Sequence, residues 1–398
     1  MFIELHLIQN FSPANLNRDD TNNPKDCTFG GVRRARISSQ SLKRAIRYQP
    51  VFAETTKAKN GERSKWMSRP IKKALMNAGK DEEPATKVAV AFVNAYAAKS
   101  DKKNPERASV LLYFTQEEID TAVQGLLENW DAAVTAAESG KSVNSVVSAL
   151  EKATKNRTSA PDIALFGRMM AEKPTLNIDA ACQVAHAIST HRVQMEMDFY
   201  TAVDDLQDRS DEEGAGAGMM GFTNFNSACF YRYARIDWQQ LLDNLGWRDP
   251  SKVRPAEREV IEQQNAEVIA LAHRTVEGFL RATIDAIPTG KQNSFAAQNP
   301  TNLAMAVVRE DGKSWNLANA FEEPVYPKRN EGLIRRSIQA LDAYWNDLTT
   351  RRDDADFKTV AVFTDSGKHE EALQSLKPYS KPKLSEWIAA VDEVLPKE

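Results

Sequence analysis

Between Cys27 and Ala53 the chain carries six cations, Arg33, Arg34, Arg36, Lys43, Arg44 and Arg47, and no acid. The chemistry open to such a cluster is the binding of a polyanion. The 398-residue chain has a net charge of −3, so everything outside this window carries −9 and the basicity is local. The spacing predicts an extended segment from Arg33 to Ile37 and a helix that starts near Ser38 or Ser39, either of which can act as its N-cap. Lys43 and Arg47 are four apart and share a helix face, with Arg44 beside them. Ser38, Ser39 and Ser41 lie next to Arg36 at the end where a helix offers free N–H groups and partial positive charge, which suits phosphate oxygens. A solvated surface helix ordinarily interleaves signs, and this one has no acid four residues from any of its cations.

Other candidate groups carry less. Asp19 and Asp20 could hold a metal ion or share acid–base work on a phosphodiester, but adjacent carboxylates in "NLNRDDTNN" fit turn and cap roles better. His186 and His191 are five apart, a poor match for two ligands on one helix face, and His6, His273 and His369 are isolated. "IPTGKQNSF" reads as a turn whose Lys291, followed by Gln292, can reach a phosphate; the full P-loop pattern is missing. No nucleophile elbow, zinc-protease pattern, dinucleotide fingerprint or paired-cysteine motif occurs, so the chain is not expected to be an enzyme. Cys27, Cys182 and Cys229 are widely separated free thiols, which fits a reducing cytoplasm. The start "MFIELHLIQNF" lacks a basic leader, and no apolar run approaches membrane-spanning length.

The elements that must position these groups follow from periodicity. "FIELHLIQ" predicts a strand with Ile3, Leu5 and Leu7 on one face and Glu4 and His6 on the other. "NFSPANLNRDDTNNPKDC" reads as a long loop. From about Thr55 to Lys173 the pattern is helical, and Thr115 with Glu118 forms a capping box ahead of Ile119, Val123, Leu126 and Leu127. "STHRVQMEM" and "NFNSACFYRYARID" predict strands, joined by a hairpin over 198–224. Residues 198–213 of it hold seven acids, Asp204 and Asp205 among them, and four glycines follow within 214–221. A long helix is expected from Pro255 to Ile287, then a strand in "TNLAMAVVRED". With the two insertions removed the order is βαββαβ, an α/β (α+β) ferredoxin-like or RRM arrangement.

"LNRDD", "KDCTFGGVRRARISSQSLKRAIR", "DIALFGRMM", "FYTAVDDLQ", "FYRYARI" and "SIQALDAYW" resemble the CasC family. These are the crRNA-binding backbone subunits of type I-E CRISPR Cascade, within the RAMP superfamily. The resemblance implies a right-hand fold. Its RRM-like palm would comprise 1–54, 181–197 and 225–398, with helical fingers over 55–180 and a β-hairpin thumb over 198–224. It implies that several copies stack helically along one guide RNA, beside other Cascade subunits, and present bases to a target DNA strand. RNA contact is implied for Arg18, Lys25, Arg36, Ser38, Gln40, Ser41, Lys43, Arg44, Arg47, Arg168, Met169, Lys291 and Gln292. Tyr200 and Thr201 take the thumb positions, where the family commonly has Phe-Thr. No cofactor beyond the bound guide is implied, and no membrane partner. The rival reading is a RAMP-type endoribonuclease, which would need a histidine or metal-bound carboxylate beside the basic groove.

Overall fold

Eight strands concern the site: β1 (Phe2–Ala14), β2 (Asp26–Phe29), β3 (Val32–Ile37), β4 (Ala187–Ser189), β5 (Glu196–Ala202), β6 (Met219–Asp237), β7 (Leu303–Arg309) and β8 (Thr359–Thr364). The computed structural model describes residues 1–96, 100–141, 143–170, 173–202 and 219–397. The sheet runs in the order β8-β7-β1-β6-β4-β3-β2, and β5 pairs with β6 off this path. Its central strands β7-β1-β6-β4 are the fourth, first, third and second of that group in chain order, the arrangement of a split βαβ unit. The fold is therefore α+β, with antiparallel pairing of β1 to β7 and of β7 to β8.

Alternation along β1 sets an apolar face against a polar one, and neither is solvated. Glu4 and His6 are as fully buried as Ile3, Leu5 and Leu7. The strand lies between β7 and β6, so both faces are covered and each polar group needs a partner. Glu4 supplies one oxygen to Arg309 Nε at 2.6 Å and the other to the Trp315 N–H at 3.1 Å. His6 Nδ1 meets the Tyr231 hydroxyl at 2.9 Å, and burial pushes that phenol well up. A second difference concerns "STHRVQMEM". Only β4 and β5 are strands there, and 190–195 between them is irregular.

Two units make up the chain. One holds residues 1–49, 184–235 and 279–395; the other holds 50–183, 236–278 and the chain end. The helical part is thus larger than the sequence division allowed, because 236–278, placed there with the sheet, groups with the helices. In the first unit, helix α1 (Ser39–Arg47) buries Leu42 in a cluster with Phe11, Ile37 and Phe230. A separate cluster sets Ile8, Met305 and Val362 against Ile338 and Trp345 of helix Leu333–Arg351. In the second unit the expected capping box is present, with Thr115 and Glu118 bonded reciprocally at the start of helix Gln116–Glu128.

The segment leading to α1 is fixed from within. Gly30 and Gly31 both have positive φ and close the two-residue turn between β2 and β3. A Cβ on Gly30 would lie 1.8 Å from the Glu322 carbonyl oxygen, so only glycine fits. Arg34 is fully buried and donates to four carbonyls: Phe29 at 3.1 Å, Ser189 at 3.2 Å, Phe321 at 2.7 Å and Glu322 at 3.0 Å. Replacing Arg34 by Met leaves these acceptors unpaired in the interior. The expected cost is about 3–5 kcal/mol, read from the urea midpoint at unchanged slope. A loss below about 1 kcal/mol contradicts this role.

Candidate nucleic-acid interface

Helix α1 begins where the sequence placed it. Ser38 is its N-cap, and its hydroxyl accepts the Ser41 N–H at 3.3 Å. The first turn contains no acid, so no side chain of the helix itself neutralises the partial positive charge there. Two groups from distant sequence hold this end in place. Asn17 accepts the Ser38 N–H at 2.8 Å, and His186 Nδ1 accepts the Ser39 N–H at 3.0 Å. Arg36 stands near the end of β3, its Nε donating to the Asp26 carbonyl at 3.2 Å and its Nη1 reaching His186 Nδ1 at 3.5 Å. Lys25 extends the β2–β3 ladder by accepting the Arg36 N–H at 2.9 Å. Lys25, Arg36, His186 and an acid-free helix N-terminus therefore share one place. Burial first, and then the charges of Arg36 and Lys25, hold the His186 imidazole below its ordinary range, which keeps it neutral and able to accept.

The cations of the basic segment do not all face outward. Gln40, Lys43, Arg44 and Arg47 follow i, i+3, i+4, i+7 spacing and share one helix face, opposite Leu42, Ala45 and Ile46. Gln40 and Arg44 are exposed and Lys43 is half-buried, whereas Arg47 is only 7 % exposed. The Arg44 guanidinium lies 4.8 Å over the Tyr48 ring, and Tyr48 is itself 65 % exposed. Of the six cations in the window, Arg34 is consumed by carbonyls and Arg33 pairs with Asp26 just outside it. The outward charge on α1 is carried by Lys43 and Arg44.

A loop and a turn frame this helix end. Asn15 donates to the Asn22 carbonyl at 3.1 Å and to the Asn224 carbonyl at 2.8 Å, and Asn224 donates to Asn23 Oδ1 at 2.6 Å. The loop over 15–24 is thereby tied both to β6 and to the cap of α1. Arg18 is exposed on it and donates to Asn22 at 2.6 Å. Asp19 accepts from Thr21 and Asn23, bonds that hold its carboxyl below the usual range and spend it on the turn. Gly290 packs against this loop so closely that a Cβ would lie 2.3 Å from the Leu16 carbonyl oxygen. The two segments border a groove of about 360 Å³ lined by Asn17, Arg18, Asp19 and Gly290. Lys291 follows in the left-handed region at φ 50°, and Gln292 turns inward to the Pro288 carbonyl at 3.2 Å.

The hairpin arms are β5 and β6, paired from Glu196 opposite Phe225 to Ala202 opposite Met219. Every residue of β5 is exposed. Strand alternation puts Met197, Phe199 and Thr201 on one face with Met220 and Phe222, and Tyr200 on the other with Glu196 and Asp198. Tyr200 lies across Gly221, where a Cβ would sit 2.6 Å from its phenol oxygen. Tyr200 and Thr201 are thus adjacent in sequence but opposite in direction. Asp204, Asp205 and the acidic and Gly-rich stretch over 203–218 lie outside the described residues.

Arg168 is corrected. It sits in the helical unit, 4 % exposed, paired with Glu118 at 2.7 Å and donating to the Leu176 and Tyr113 carbonyls. Its charge is balanced inside the protein and does not face a ligand. Met169 next to it is 84 % exposed. Sequence reasoning missed His186 and Asn17, whose roles depend on partners 147 and 21 residues away.

The sequence matches the CT1975-like protein family over residues 3–390. The chain belongs to that family. No curated protein matches it. Among solved structures it is similar to a chain of a "CRISPR RNA-guided surveillance complex, pre-nicking", at 29% identity and a TM-score of 0.79, with 99% of both chains covered. A chain of another "CRISPR RNA-guided surveillance complex" shares the fold at 24% identity and a TM-score of 0.70, covering 99% of this chain and all of that one. The resemblance to CasC read from the motifs is upheld along the whole chain.

The His186 geometry has a measurable consequence. Its NMR titration midpoint is expected below about 6.5, the value of an unperturbed imidazole. Arg36→Ala should raise that midpoint by removing a neighbouring cation. The bond to the Ser39 N–H is present above the midpoint and is lost as pH falls through it, because a protonated Nδ1 cannot accept. A midpoint above about 6.5 in the free protein excludes this arrangement.

Proposed function

We propose that the chain is a backbone subunit of a Cascade-type CRISPR surveillance complex and that it grips guide RNA through phosphates. The observation that carries this is the acid-free start of α1, flanked by Lys25 and Arg36 and continued by Lys43 and Arg44. Its full-length likeness to a chain of an RNA-guided complex supports it. A subunit that accepts any guide must hold backbone and leave base edges free, since phosphate contacts position nucleic acid without reading it. Specificity then comes from pairing with a target DNA strand. Arg18 and Lys291, on the loop and turn beside the helix, extend the same phosphate track. The exposed ribbon of β5 and β6 covers the RNA from the other side, with Phe199, Thr201, Met220 and Phe222 toward the bases. The next copy along the RNA meets a different patch of this one. Such a contact is heterologous, and repetition of it gives an open helical stack.

In this role the chain needs no cofactor besides the guide and cleaves nothing. Asp19, the first candidate for a metal-bound carboxylate, is spent on its own turn.

Two measurements test the proposal. Lys43→Ala and Arg44→Ala should each flatten the log–log salt dependence of RNA affinity by about 0.7, equally for unrelated RNA sequences. Unchanged affinity and slope in both variants would mean that α1 is only a solvated face. Purified protein incubated with labelled RNA and divalent metal should leave it intact. Cleavage that disappears in Asp19→Ala would move the function to the nuclease class.

A further inference from the structure

Helix α1 ends on a ring that packing does not explain. The helix meets the core through Leu42, Ala45 and Ile46, while the Tyr48 side chain that closes it stays 65 % exposed. Single exposed aromatics are ordinary on protein surfaces, but the position of this one is not neutral. Tyr48 follows Arg44 by four residues and so continues the outward row of the helix beyond Lys43 and Arg44. The Arg44 guanidinium lies 4.8 Å from the ring centroid and that of Arg47 lies 5.7 Å from it. The backbone under the ring is fixed on both sides. The Tyr48 N–H donates to the Arg44 carbonyl at 3.2 Å, and Gln49 donates through its side chain to the Asp285 carbonyl at 3.1 Å.

A ring bordered by guanidiniums and open to water is a combination that holds single-stranded nucleic acid. The cations follow the phosphates, and the ring receives the face of a base. Phosphate contact alone requires no aromatic side chain. Stacking is tolerant of sequence, because every base has a π-face, and it leaves the pairing edge of the base free. Both properties suit a subunit that accepts any guide. We propose that Tyr48 is a base-stacking site, which takes one nucleobase of a single strand whose phosphates Lys43 and Arg44 hold. The site rests on the phosphate grip proposed for α1 and adds to it a contact with the base itself, whatever its identity. It stands on a different element from Phe199 and Phe222, the exposed rings of the hairpin arms.

The full-length protein tests this by fluorescence anisotropy, across a salt series, against a single-stranded RNA of mixed sequence and an abasic strand of the same length. Y48A and Y48L change an exposed side chain and are checked for native circular dichroism. Both should bind the RNA about tenfold more weakly at an unchanged salt slope, since stacking releases no counterions. Their affinity for the abasic strand should stay within about twofold of the parent's, and Y48F should match the parent on both strands. Lys43→Ala/Arg44→Ala should instead weaken binding of both strands and flatten both slopes. Unchanged RNA affinity in folded Y48A and Y48L overturns the stacking site and leaves the phosphate grip standing. An equal loss on both strands with a flatter slope also overturns it, because Tyr48 would then serve only to hold the Arg44 guanidinium.

Discussion

A guanidinium with no access to water determines the geometry of the basic segment. Arg34 is surrounded by carbonyl oxygens from the β2–β3 turn, from β4 and from residues 321–322. A buried charge is tolerable only when its donors are engaged, so these three segments must converge on it. Their convergence fixes the end of β3, and β3 fixes where α1 starts. Gly30 belongs to the same constraint, because the carbonyl of Glu322 that receives Arg34 also occupies the space a side chain would need.

That anchoring preorganises the start of α1, where the proposed phosphate grip lies. Its donors and cations are held by backbone bonds and by Asn17 and His186. The entropy of ordering long basic side chains is therefore partly lost on folding, before any ligand arrives. The neutral state of His186 is part of this design. As an acceptor it orients the Ser39 N–H, and as a third cation it would release it.

The parts legible in the sequence are those whose cause is local. The cap at Ser38, the capping box at Thr115 and the one-sided helix α1 each depend on residues within a turn of one another, and each stands as read. The fate of individual cations was not legible. Arg168 looks like a free cation until Glu118, 50 residues away, reaches it, and Arg34 needs acceptors up to 288 residues distant. The alternation of β1 separated a polar from an apolar face, and an alternating strand inside a sheet can bury its polar face when partners such as Arg309 and Tyr231 are supplied by remote segments. Alternation states that the two faces differ; it does not state that one is wet.

The pairing of β1 with β7 sets a clock on biosynthesis. Phe2 stands opposite Arg309 and Ile8 opposite Leu303, so this edge of the early strand must wait for a partner some three hundred residues downstream. At about 5–20 residues per second the delay is on the order of 15–60 s. Throughout it an apolar segment containing Phe2, Ile3, Leu5, Leu7 and Ile8 is available for wrong pairings. Glu4 and His6 interrupt that run and act as gatekeepers on the nascent chain. The carboxylate that later receives Arg309 and the Trp315 N–H in a dry interior is, until then, what keeps the strand in solution.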